Sequence, residues 1–133
     1  MLLTILLTAF LAVGGAYGLS AAHLVLPSSV RVGNEVKMAC TFELDGNEVV
    51  YSVKWFKDEQ LFLTVTPADQ PPLKVIELPG IHVDRKSTAY NKLVLTRAEL
   101  ETSGTYRCLV NLDGPSFASA RSTKVLKVVK QHR

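Results

Sequence analysis

The chain has 133 residues, 47% of them hydrophobic, and its 15 lysines and arginines against 12 aspartates and glutamates give a net charge of +3. No basic stripe interleaved with aromatic side chains accompanies that mild surplus, so nucleic acid is excluded as an expected partner. The length suits one domain built round one hydrophobic core.

Residues 1–18 form an apolar run without a charged side chain that ends in Gly14-Gly15-Ala16-Tyr17-Gly18. This is the pattern of a secretory signal peptide, with small residues where the peptidase needs them, and cleavage is expected after Gly18. A membrane anchor needs about 20 apolar residues, more than this run supplies. The expectation is therefore a secreted, extracellular protein, with a signal peptide at 1–18, a single domain at 19–133, and neither a membrane span nor a lipid-anchor signal.

From Leu24 onward short alternating stretches are separated by turn signals, and no segment keeps the helical period, which predicts an all-β chain. Glu35–Thr41 places Val36, Met38 and Cys40 on one face, and Asp45-Gly46 marks a turn. Val50–Lys57 alternates with Tyr51, Val53 and Trp55 inward and Lys54 and Phe56 outward. Leu61–Thr66 is a further strand, and the paired prolines Pro71 and Pro72 make the segment 67–72 a loop. Leu73–Leu78 reads as a short edge strand, and Pro79-Gly80 turns the chain into Ile81–Asp84. Asn91–Thr96 turns Leu93 and Leu95 inward. Thr105–Asn111 sets Tyr106, Cys108 and Val110 against Arg107, Leu109 and Asn111, and after a turn at Asp113–Pro115 the last strand is Ser122–Val129.

In an oxidising compartment the two cysteines, Cys40 and Cys108, are expected to be bridged. Two cysteines in separated strands, Trp55 on the inward face of the strand after the first, and Tyr106 two residues before the second match an immunoglobulin-like β-sandwich of the variable type. That fold is two antiparallel sheets joined by one inter-sheet disulfide, with Trp55 packed on the bridge and the Tyr106 hydroxyl bonded to upstream backbone. One departure is Thr102, which stands where variable-type domains usually carry an acidic residue paired with an arginine, so that ion pair is absent or replaced.

Catalytic chemistry finds little support. His23, His82 and His132 lack ligand-like spacing, so neither a metal nor another cofactor is expected. No nucleophile elbow is present, both cysteines are committed to the bridge, and Glu99 and Glu101 read as a solvated turn rather than an acid and base pair. The chain is not expected to be an enzyme. A basic end, Lys124, Lys127, Lys130, His132 and Arg133, has the charge to meet a heparan-type glycan, although a solvated strand end is the weightier reading.

The outward positions of the Trp55 and Cys108 strands are more informative. Phe56 and Leu109 point away from the core beside Lys54 and Arg107, an apolar centre with a charged rim that reads as a partner-binding surface. The loop residues Pro115, Ser116 and Phe117 add an aromatic at its edge.

Val53-Lys54-Trp55-Phe56-Lys57-Asp58, Pro79-Gly80-Ile81-His82-Val83-Asp84, Thr102-Ser103-Gly104-Thr105-Tyr106-Arg107-Cys108 and Gly114-Pro115-Ser116-Phe117 together resemble the first immunoglobulin domain of the arthropod beaten path proteins. The resemblance covers about Leu24 to Val129. It implies a neuronal protein that binds sidestep-type immunoglobulin receptors in axon guidance and synaptic matching. Family members usually continue into a second immunoglobulin-like region, and their segments often carry an acidic residue and an alanine where this chain has Asp113 and Gly114. The alternative is a generic secreted immunoglobulin protein, a soluble decoy or immune-recognition factor.

Overall fold

A computed structural model describes residues 19–130. The expected signal peptide with its cleavage point, and His132 and Arg133 of the basic end, lie outside the described residues. Among those described, the strands are β1 (His23–Val25), β2 (Ser29–Arg31), β3 (Val36–Thr41), β4 (Val50–Lys57), β5 (Gln60–Val65), β6 (Leu73–Val75), β7 (Lys92–Leu95), β8 (Gly104–Leu112) and β9 (Ser119–Val129), with one 3-10 turn at Leu100–Thr102. They form two layers, a three-stranded sheet in the order β1-β3-β7 and a six-stranded sheet in the order β2-β9-β8-β4-β5-β6. Pairing is antiparallel throughout except at one edge, where β2 runs parallel to β9. β1 and β2, at three residues each, are too short for alternation to mark them in the sequence.

Alternation puts one side chain in two into the space between the sheets, and the core is what results. Val36, Met38 and Cys40 from β3, Leu93 and Leu95 from β7, Val53 and Trp55 from β4, and Tyr106, Cys108 and Val110 from β8 are all buried. The Cys40–Cys108 disulfide joins β3 to β8, one strand from each sheet, with Cα atoms 6.3 Å apart. Trp55 is fully buried and stands directly opposite Cys108 in the β4–β8 register. A cross-link that closes a 68-residue separation stabilises the fold by on the order of 4 kcal/mol in the chain-entropy account.

The base of the sandwich shows what takes over where an acidic residue is missing. Thr102 is fully buried; its Oγ1 donates to the Gly80 carbonyl at 2.6 Å and accepts from the Glu99 N–H at 2.8 Å. The Tyr106 hydroxyl donates to the Thr102 carbonyl at 2.5 Å. A neutral hydroxyl thus ties three segments together without the desolvation cost of a buried charge. Nearby, His82 Nε2 and Glu99 Oε2 are 2.6 Å apart at the surface. Gly80 has φ +79°, and a Cβ there would sit 2.8 Å from Glu101 Cβ, so this turn requires glycine twice over. Burial, with a smaller push from the Asp58 charge, raises the Tyr106 phenol far above its ordinary pKa and keeps it a donor.

The expectation that Tyr51 points inward is corrected. Val50 pairs with Leu112 and Ser52 with Asn111, which leaves Tyr51 as an extra residue in a β-bulge. Tyr51 is turned out to solvent, 55% exposed, while Val50 packs against the core in its place. A bulge resets the alternation locally, and nothing in the residue pattern of β4 announces it.

Candidate functional site

The outer face of the six-stranded sheet is the side turned away from the three-stranded sheet and the core between them. Register places its side chains in rows. One row runs Thr123, Arg107, Phe56, Leu61 across β9, β8, β4 and β5, and the next runs Arg121, Leu109, Lys54, Thr64, Lys74 from β9 to β6. Lys54, Phe56, Arg107 and Leu109 therefore stand on one surface as neighbours. All four are half-buried rather than fully exposed. The reason is mutual cover: the Arg107 guanidinium lies 5.3 Å from the Phe56 ring centroid, and Leu61 stands opposite Phe56 on β5. Such a stack is worth about 0.5–1 kcal/mol and presents a cation on an aromatic base. Arg107 also approaches Glu59 at 3.7 Å, but the Glu59 side chain is 88% exposed and the pair contributes little.

The β4–β5 hairpin holds this surface in place. Asp58 and Glu59 both have positive φ, 48° and 68°, the backbone of a tight two-residue turn. Asp58 Oδ1 accepts from the Thr105 N–H at 2.9 Å, and its own N–H donates to the Thr105 carbonyl at 2.8 Å, which fastens the turn to β8. The Thr105 hydrogen bond, reinforced by Lys57 Nζ at 3.2 Å, holds the Asp58 carboxyl below its ordinary pKa despite a smaller opposing effect of burial.

The loop residues Pro115, Ser116 and Phe117 are exposed, Phe117 by 74%. They leave from the far end of β8, roughly 16 Å along the strand from Arg107 at about 3.3 Å per residue, so Lys54 and Leu109 lie between the two groups. The Phe117 ring rests over Gly114, where a Cβ would meet Cζ at 3.3 Å, so glycine here lets the ring fold back closely onto the loop.

Several features of this end were not legible in the sequence. Val49 (57% exposed), Tyr51 (55%), Tyr90 (42%) and Leu44 (40%) are all exposed there or near it, brought together from separate turns. An open hollow of about 300 Å³ lies among Leu44, Glu48, Val49, Val50, Pro67 and Tyr90. Tyr90 is steadied by an edge-to-face contact with Phe42 at 6.2 Å.

Among the described residues no three His, Cys, Asp or Glu side chains are grouped to hold a metal ion, and neither cysteine is free. Glu99 is occupied by His82 and by the turn that Thr102 ties down. Lys124, Lys127 and Lys130 are exposed on and beyond β9, with no acidic partner among the described residues. No helix among the described residues is long and apolar enough to cross a membrane.

No curated protein matches the sequence closely. Solved structures do resemble the fold. The V domain of amphioxus IgVJ-C2 superposes with a TM-score of 0.60 at 17% identity, covering 75% of this chain and 97% of that one. Murine CRIg gives 0.58 at 16%, covering 85% and 100%. The tandem V-type regions of VCBP3, a v-region-containing chitin binding protein, give 0.58 at 18%, covering 82% and 46%. At these identities the likeness is one of fold. Residues 22–129 match the immunoglobulin domain family, and with the inter-sheet bridge, the buried Trp55 and the Tyr106 corner in place the chain belongs to that family.

Proposed function

We propose that this is a secreted, non-catalytic cell-recognition protein whose immunoglobulin domain binds a cell-surface immunoglobulin receptor, in the manner of beaten path proteins with sidestep-type receptors in axon guidance and synaptic matching. The observation that carries the reading is the grouping of half-buried side chains on the outer face of β4 and β8. There Phe56, Leu61 and Leu109 make an apolar strip bordered by Lys54, Arg107 and Arg121. An apolar centre with a charged rim, on a rigid hydrogen-bonded sheet, is what a protein partner needs to exclude water and set orientation. Pro115, Ser116 and Phe117 extend the contact at the loop end. The run at 1–18 and the disulfide support export to an oxidising compartment.

A soluble decoy or immune-recognition role would use the same fold, and fold likeness to CRIg and VCBP3 does not favour it. The deciding experiment is a binding screen of the secreted chain, multimerised, against a panel of extracellular immunoglobulin receptors. Saturable binding to a sidestep-type receptor is expected. Binding to none of them, together with capture of microbial or polysaccharide surfaces, would overturn the proposal.

A further inference from the structure

The hollow at the loop end has a carboxylate set into apolar walls. Glu48 is a buried charged residue, only 9% exposed, and it lines the hollow together with Leu44, Val49, Pro67 and Tyr90. Its one hydrogen bond to the rest of the protein through the side chain is a long one, Ser116 N–H to Oε1 at 3.5 Å, and among the described residues it forms no ion pair. A carboxylate with so little exposed surface and no cation beside it gains most from a cationic partner that enters the open side of the hollow.

Three of the four connections that line the hollow or border it carry only acidic charge. The three loops after β3, β5 and β8, residues 42–49, 66–72 and 113–118, contain Glu43, Asp45, Glu48, Asp69 and Asp113 and not one lysine or arginine, in a chain whose net charge is +3. Among the described residues Asp69 alone of these is paired, with Lys74 at 3.3 Å. The fourth contributor, the connection 84–91 bearing Tyr90, carries Arg85 and Lys86, both exposed, in the turn before Tyr90, and it leads into Lys92, which pairs in register with Ala39 on β3.

We infer that this hollow seats a single arginine side chain of the protein partner, its guanidinium on the Glu48 carboxylate and its stem and flat face against Val49, Pro67 and Tyr90. The inference rests on the recognition reading above and names what the partner presents. Arginine fits better than lysine: its planar, weakly hydrated head meets a carboxylate with two parallel donors and tolerates apolar walls, where an ammonium would lose its hydration. At about 300 Å³ the hollow is at the lower bound of ligand pockets, the scale of one side chain. The acidic loops draw the cation in before contact is made.

The test needs no identified receptor. The ¹⁵N-labelled protein is titrated with N-acetyl-arginine methylamide, and in parallel with the citrulline analogue, which keeps the shape and loses the charge. Saturable amide shifts confined to Glu48, Val49, Tyr90 and Ser116 are expected with arginine, at millimolar affinity, and shifts at least about tenfold weaker with citrulline. Glu48→Gln, which keeps an acceptor for Ser116, should weaken the arginine response by a similar factor. Absence of local shifts with arginine, or equal shifts with citrulline, would overturn the inference. Once a receptor is in hand, Glu48→Gln that leaves its affinity unchanged while Phe56→Ala abolishes it would refute the arginine seat and leave the sheet-face reading standing; the reverse result would refute the sheet face instead.

Discussion

Truncation of Phe56 separates folding from recognition more cleanly than any other change. A fully buried phenylalanine cut to alanine costs about 3–5 kcal/mol, much of it from the cavity left behind. Phe56 lies on the outer side of β4, covered by Arg107 at 5.3 Å and flanked by Leu61, with solvent beyond. Water can enter the space, so the cavity contribution falls away. What remains is the transfer cost of a partly covered ring, about 1 kcal/mol, plus about 0.5 kcal/mol for the lost Arg107 stack. Phe56→Ala should therefore destabilise the domain by about 1.5 kcal/mol in urea unfolding. Val53→Ala, three residues earlier but fully buried, should cost about 2–3 kcal/mol. Against a receptor the order inverts: Phe56→Ala and Leu109→Ala should weaken binding by about 1–3 kcal/mol, chiefly through faster dissociation, and Val53→Ala should leave it nearly unchanged in the folded fraction. Lys54→Ala should mainly slow association and flatten its salt dependence. If Phe56→Ala unfolds the domain, or costs more than Val53→Ala, the faces are misassigned; if it binds a confirmed receptor like the parent, the interface lies elsewhere.

Thr102→Val removes one hydroxyl and strands both the Gly80 carbonyl and the Glu99 N–H, so a loss of about 2–3 kcal/mol is expected in the urea midpoint, and a neutral outcome would show that water replaces the hydroxyl. Asp58 has a folded pKa below the unfolded carboxyl value, so its contribution is complete above the unfolded pKa and is lost as pH falls through the folded one. The stability gap between wild type and Asp58→Asn should accordingly shrink as pH falls through and below the ordinary aspartate range, and a gap that is constant with pH would refute the Thr105 tether. Intact mass should rise by two hydrogen atoms on reduction of Cys40–Cys108, with stability falling by on the order of 4 kcal/mol; free thiols in the native protein would contradict the bridge. None of Asn34, Asn47, Asn91 and Asn111 is followed two positions on by serine or threonine, so an N-glycan amidase should leave the mass of the described domain unchanged.

The sandwich was legible in the residues because its determinants are local. Alternation over β3 and β8 places Val36, Met38, Cys40, Tyr106, Cys108 and Val110 inward without reference to any other part of the chain, and the cysteines and Trp55 then fix which strands face one another. The outward positions of Phe56 and Leu109 follow from the same period of two. Where that period is broken, the sequence misleads: the bulge at Tyr51 adds a residue without changing composition, and only pairing with Leu112 and Asn111 shows that the ring faces water. The mutual shelter of Arg107 and Phe56 depends on register between strands far apart in the chain. Thr102 read as a missing acid, and its role emerged only once the Gly80 turn and the Glu99 N–H were brought to its hydroxyl. The Glu48 hollow is the extreme case, since Leu44, Pro67 and Tyr90 come from three turns whose residues carry no common pattern. Side-chain direction along a strand is set by the backbone of that strand, whereas a surface made by several loops exists only after the sheets beneath them have packed.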